Sequence, residues 1–147
     1  MIVRDWMSAP AITASPFMGA LDVLEFMEEF GVGHVAVVEE GRLLGVLSSR
    51  IIRGILHRRA SGASETTVEE LMTSDPVTAA PGDSLHDIAR RMLEFDIECL
   101  PVVADGQVAG LITQSQVLRA LCDELGISSG EPPARMSLCA RGGARPF

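Results

Sequence analysis

Shifted along itself by 65 residues, the chain repeats. Residues 3–56 overlay 68–121 without a gap, and 14 of the 54 paired positions are identical. Met7 falls on Met72, Thr13 on Thr78, Pro16 on Pro81, Met27 on Met92 and Phe30 on Phe95. Val37-Val38, Gly41 and Gly45 fall on Val102-Val103, Gly106 and Gly110. Replacements keep the physical role, as in Ile12 to Val77, Val32 to Ile97 and Ser48 to Thr113. Any fold must therefore give two segments the same local structure and let both bury the same faces, which points to two copies of one unit about a pseudo-twofold axis.

The order of signals within a copy is read most easily in the second. Thr67-Val-Glu-Glu70 has the form of a capping box. Pro76–Ala79 is expected to be extended, and Pro81-Gly-Asp-Ser84 supplies a turn and a helix cap. Leu85, Ile88, Ala89, Met92 and Leu93 then recur at helical spacing. Cys99–Ala104 and Val108–Ile112 flank Asp105-Gly106, a hairpin signal because the tight turn needs positive φ. Val117, Leu118, Leu121 and Leu125 describe a closing helix.

Each copy thus reads β-α-β-β-α with a short helical lead-in. In the first, Met18 and Gly19 replace Asp83 and Ser84 and cap poorly, so its first helix is expected to start slightly earlier, near Ser15-Pro16. The resulting fold class is α/β, with the two units packed sheet to sheet and clefts between them. The boundaries are 1–60 for the first unit, 61–67 for the linker, 68–126 for the second unit and 127–147 for a tail, which is Gly-, Pro- and Arg-rich and expected to be flexible.

Twelve basic against twenty acidic residues give a formal charge of −8, unfavourable for a nucleic-acid partner. Apolar runs are too short for a membrane span, and the N-terminus has no secretory pattern, so a cytoplasmic location is expected. Three cysteines without a C-x-x-C pair and three scattered histidines offer no disulfide framework or metal set. No phosphate loop, triad or paired-acid arrangement emerges, and Asp22, Glu25, Glu28 and Glu29 read as a solvated helix face. No catalytic residue is assigned. Phe26, Phe30, Leu93 and Phe95 exceed what one apolar stripe needs, which favours a homodimer.

The junction after each copy's last strand is the place left for a ligand: Ser48-Ser-Arg50-Ile51 and Thr113-Gln-Ser-Gln116. A hydroxyl there caps the following helix and lies where free N–H groups favour an anion.

Taken with Asp5-Trp-Met7-Ser-Ala-Pro10, Val68–Pro76, Leu100-Pro101-Val-Val, Asp105-Gly106 and Gly110-Leu-Ile-Thr113, the chain resembles a tandem pair of cystathionine β-synthase (CBS) domains, a Bateman module. The resemblance implies a non-enzymatic regulator that binds AMP, ADP, ATP or S-adenosylmethionine between its repeats, forms a disc-like dimer and acts on a separate effector protein. It also implies that a Ser or Thr ends the third strand and that an Asp three residues later holds the ribose. The hydroxyls are present as Ser48 and Thr113, but the Asp position holds Ile51 and Gln116. Burying a diol unpaired against Ile51 would cost about 1–3 kcal/mol, so Thr113 and Gln116 make the better cleft. The family pattern adds Thr78, Cys99 and Pro101 near that cleft, which Arg119 reaches if its helix presents it inward, and the counterpart cleft takes Ser48, Arg50, Ile51 and Thr13. The alternative is a ligand-free dimeric scaffold whose clefts are vestigial.

Overall fold

The computed structural model describes residues 1–58 and 65–127. After a 3-10 turn at Val3–Asp5 come β1 (Thr13–Ala14), α1 (Ala20–Phe30), β2 (His34–Glu39), β3 (Arg42–Ser48) and α2 (Ser49–Arg58). The second unit runs α3 (Val68–Leu71), β4 (Thr73–Ser74), α4 (Leu85–Phe95), β5 (Cys99–Ala104), β6 (Gln107–Thr113) and α5 (Gln114–Glu124). Residues 59–64 and 128–147 lie outside the described residues, and with them most of the expected linker and nearly all of the expected tail.

Both hairpins turn as their sequences require. Glu40 and Gly41 have φ of 50° and 78°, Asp105 and Gly106 of 53° and 77°, the paired positive values that fit the right-handed twist of the strands. The register slips at the same place in each unit, so that Leu44 and its counterpart Ala109 have no opposite residue. One bulge, duplicated, re-aims the end of β3 and of β6.

The lead-in segments are exchanged between the units. The first sheet has the order β1-β2-β3-β4, so β4, from the second copy, closes the edge of the first copy's sheet. Reciprocally, Ser8 of the first copy bridges Leu111 on β6. Each contact occurs twice with the copies reversed. The Ala20 N–H donates to the Thr66 carbonyl at 2.8 Å and the Leu85 N–H to the Met1 carbonyl at 3.2 Å. Val68 N–H donates to Met18, and Val3 N–H to Asp83.

This exchange explains how α1 starts without a capping side chain. Thr66 satisfies its first N–H, and the helix begins at Ala20, the counterpart of Leu85 in α4. The expected earlier start near Ser15 does not occur, because the Ser15 hydroxyl accepts from the Phe17 N–H in a turn of its own.

Val3 is buried with Leu85, Ile88, Met92, Leu100 and Ile112 of the second unit. Val68 is buried with Val23, Met27, Val35, Leu47 and Ile52 of the first. A third cluster of Ala11, Ala36, Cys99 and Leu111 lies between the sheets, so the sheet-to-sheet packing expected from the repeat is present. Successive strand residues serve the two interfaces: Val35 and Val37 face helices, Ala36 the opposite sheet.

Two helical stripes differ from their sequence reading. Leu93 is 80% exposed on α4, and Leu118 and Leu125 are 58% and 72% exposed at α5 and its end. Val117 is buried as expected, and it shares the buried side of α5 with Ala120 and with Gln116, which packs by the lead-in and donates to Ser8 Oγ.

Candidate functional site

A cleft of about 400 Å3 opens between the units. One wall is first-unit chain: Ser8 and Pro10–Ile12 from the lead-in, Gly31–His34 between α1 and β2, and Arg50 in the first turn of α2. The other is second-unit chain: Glu98 before β5, Leu111 on β6, and Thr113–Gln116 where β6 becomes α5. Gly33 and Glu98 are repeat counterparts, as are Arg50 and Ser115, so equivalent segments of the two units meet at this cleft.

Thr113 and Gln116 form a closed hydrogen-bond set. The Thr113 N–H donates to Gln116 Oε1 at 2.7 Å, its hydroxyl donates to the same oxygen at 3.1 Å, and Oγ1 accepts from the Gln116 N–H at 3.4 Å. Gln116 Nε2 donates to Ser8 Oγ at 2.7 Å. Gln116 is only 7% exposed, and this set meets its polar atoms as burial demands. It thus caps α5 and ties the second unit to the first unit's lead-in. What remains for a ligand is one N–H of Gln116 and one lone pair of Thr113 Oγ1, a donor and an acceptor side by side.

Of the residues expected near this cleft, Thr113 and Gln116 line it, and Arg50, expected at its counterpart, lines it as well. Thr78, Cys99, Pro101 and Arg119 do not. Thr78 is exposed, with its carbonyl held by Arg91. Pro101 is buried and pairs through its carbonyl with Ala79, and Arg119 is half-buried outside the cleft. Cys99 sits in the inter-sheet cluster, where burial pushes its thiol up to about 12. The physical reason is the exchange: the cleft pairs one copy's strand end with the other copy's first half. The places expected of Thr78 and Cys99 therefore fall one repeat earlier, on Ile12 beside Thr13 and on His34.

Ser48 repeats the Thr113 cap, accepting from the Ile51 N–H at 3.2 Å. Ile51 is 49% exposed and brings no polar group to the Asp position. Ser48, Ile51 and Thr13 lie outside the lining described above.

Sequence reasoning missed Ser8, His34 and Glu98. Ser8 stood within the motif Asp5–Pro10 without a role of its own, Glu98 carried no motif, and His34 was passed over as a lone histidine. Arg50 and Glu98 form an ion pair at 2.9 Å across the two units.

Burial holds the His34 pKa below its ordinary value; Arg50 acts in the same direction, and Glu98 opposes both. Between that lowered pKa and the ordinary value near 6.5, the unfolded chain binds the proton more readily than the folded one. The stability His34 permits is therefore complete above pH 6.5 and declines as pH falls below it. Urea titrations at pH 7.5 and 5.5 are expected to show a larger drop for the wild type than for His34→Gln, and equal drops would refute this.

Two duplicated α/β units with exchanged lead-ins and a cleft between them define a paired-repeat module. The chain belongs to the CBS domain family, whose sequence model matches residues 3–58 and 68–123. It is a tandem CBS pair.

It is 33% identical over 129 residues to the uncharacterized protein MJ1225 of Methanocaldococcus jannaschii, an alignment covering 80% of this chain and 46% of that one. The chain spans less than half the length of the first curated relatives it matches. Among solved structures, the CBSX2 protein of Arabidopsis thaliana in complex with AMP is 30% identical with a TM-score of 0.71, covering 84% of this chain and 98% of that one. The CBS pair of protein MJ0100 in complex with 5′-methylthioadenosine and S-adenosyl-L-methionine is 25% identical with a TM-score of 0.76, again covering 84% and 98%. No helix among the described residues is long and apolar enough to cross a membrane.

Proposed function

We propose that this CBS pair is a regulatory module that senses an adenosine-containing ligand, AMP, ADP, ATP or S-adenosylmethionine, in the cleft between its units. The observation that carries the reading is the juxtaposition in one 400 Å3 cleft of an apolar wall, Ala11, Ile12 and Val32, with the polar junction Thr113–Gln116. Apolar side chains suit a base, and a donor beside an acceptor suits a ribose diol. Arg50 at the same cleft suits a phosphate. The adenosine ligands of CBSX2 and MJ0100 support the same class. Binding regulates a separate effector protein only through unequal affinity for two arrangements of the units or protomers.

Titration calorimetry on nucleotide-free protein with AMP, ADP, ATP and S-adenosylmethionine tests this. Saturable binding is expected, weakened about tenfold in Thr113→Val, the loss of one hydrogen bond to a buried ligand group. No binding of any of the four at millimolar concentration would overturn the reading in favour of a ligand-free scaffold.

We further propose that the module works as a homodimer joined through α4 and α5. In the first unit Glu28 and Arg53 form an ion pair at 3.2 Å between α1 and α2. Their repeat counterparts are Leu93 and Leu118, 80% and 58% exposed, with Phe95 54% exposed nearby in sequence. One helix pair thus presents a satisfied charge pair and its duplicate an apolar surface. A twofold axis brings like surface to like, so leucine meets leucine.

A further inference from the structure

The cleft holds little charge. Among the described residues lining it, only Arg50 and Glu98 are formally charged at neutral pH, and they bind each other at 2.9 Å. Their repeat counterparts, Ser115 and Gly33, are uncharged and line the same cleft. The ion pair is therefore not a duplicated feature of the fold. It belongs to one side of the axis.

We infer that Glu98 is the charge selector of this cleft: by holding Arg50 it admits an adenosine ligand with at most one phosphate and disfavours polyphosphates. This rests on the adenosine reading above. The pair is exposed, 77% on Arg50 and 44% on Glu98, and exposed pairs contribute little. One phosphate can therefore share the guanidinium, whose planar fork has donors to spare. Each further phosphate brings charge toward the Glu98 carboxylate, and among the described residues no second cation lines the cleft to receive it. The chain's net charge of −8 adds repulsion of the same sign.

Adenosine, AMP and ATP titrated in magnesium-free buffer against wild type, Glu98→Gln and Arg50→Gln test the inference. Glutamine keeps the size of Glu98, and the backbone carbonyl that accepts from Gln114 is untouched. Wild type is expected to bind AMP at least about fivefold more tightly than ATP, from one or two repulsive contacts in a partly solvated site. Glu98→Gln is expected to tighten ATP about tenfold and AMP about threefold while leaving adenosine within about twofold. Arg50→Gln is expected to weaken AMP and spare adenosine. Wild type binding ATP as tightly as AMP, or Glu98→Gln shifting all three equally or none, overturns the selector role and leaves the adenosine reading intact. Absence of adenosine and AMP binding in all three proteins overturns both.

Discussion

Gly110→Ala is expected to cost the fold roughly 2–4 kcal/mol and to take ligand affinity down with it. A Cβ on Gly110 would stand 2.5 Å from the Ser8 carbonyl oxygen and 3.0 Å from the Met7 sulfur. The first is backbone and has nowhere to go without breaking the paired bonds between Ser8 and Leu111, 2.9 and 3.0 Å long. Overpacking of this kind costs about 1–3 kcal/mol, and each lost backbone bond adds about 1 kcal/mol. Because Ser8 also anchors Gln116, the displaced lead-in would loosen the cleft wall it forms.

Gly45→Ala is expected to behave alike for stability, since its Cβ would meet the Thr73 carbonyl at 2.5 Å. Gly82→Ala is the control: nothing lies within 4 Å of that Cβ, and exposed substitutions of this type stay within about 0.5 kcal/mol. Urea midpoints measure all three. A Gly110→Ala protein that unfolds at the wild-type midpoint would mean that the lead-in does not cross there.

Leu93→Glu combined with Leu118→Glu is expected to raise the dimer dissociation constant by at least about 100-fold. Across a twofold interface each substitution appears twice, so four carboxylates would be drawn toward one apolar seam. An unpaired buried charge costs several kcal/mol, and every 1.4 kcal/mol is a factor of ten in affinity. Both leucines are exposed in the monomer, so the fold should be unaffected and its urea midpoint at low protein concentration unchanged. Glu28→Ala with Arg53→Ala, at the duplicate site, is expected to leave assembly alone. Sedimentation velocity over a concentration series decides it: a wild type that is monomeric throughout, or a charge variant as dimeric as wild type, refutes the α4 and α5 interface.

The fold was legible in the sequence wherever information was local. Asp105-Gly106 and Glu40-Gly41 specify their turns whatever surrounds them, and Leu85, Ile88 and Met92 mark the buried side of α4. The 65-residue offset supplied the pairing of sheets. The exchange of lead-ins was not legible, and the reason lies in the repeat itself. Val3 and Val68, or Met7 and Met72, are identical, so each would suit its own copy's pocket as well as the other's. Duplication hides which of two equivalent partners a segment takes. Gly45 and Gly110 were visible as repeated glycines, yet their reason, a backbone crossing from the other copy, exists only in three dimensions.

The candidate site shows the same division. The hydroxyl and the residue three positions later fix Thr113 and Gln116, since both roles sit within one turn of α5. Thr78 and Cys99, placed near it by the same resemblance, do not line this cleft, whereas Ile12 and His34 of the first unit do. Leu93 and Leu118 were read into an apolar stripe because helical spacing alone does not say how wide the covered face is.

A CBS unit of this chain has no complete sheet of its own, since the segment that borders β3 or β6 arrives from its neighbour. A solitary unit could close only by lending its lead-in to another molecule and borrowing one in return, an assembly whose yield rises and falls with concentration. Joining two units in one polypeptide turns that bimolecular trade into an intramolecular one, at the millimolar effective concentration of a short tether. It also makes the cleft depend on contacts far apart in the chain. Bonds such as Val3 to Asp83 and Leu85 to Met1 join residues about eighty positions apart, and loops of that length close late. The cleft takes one wall from each unit and is bounded by the first unit's lead-in, so it is complete only when both units are folded and joined.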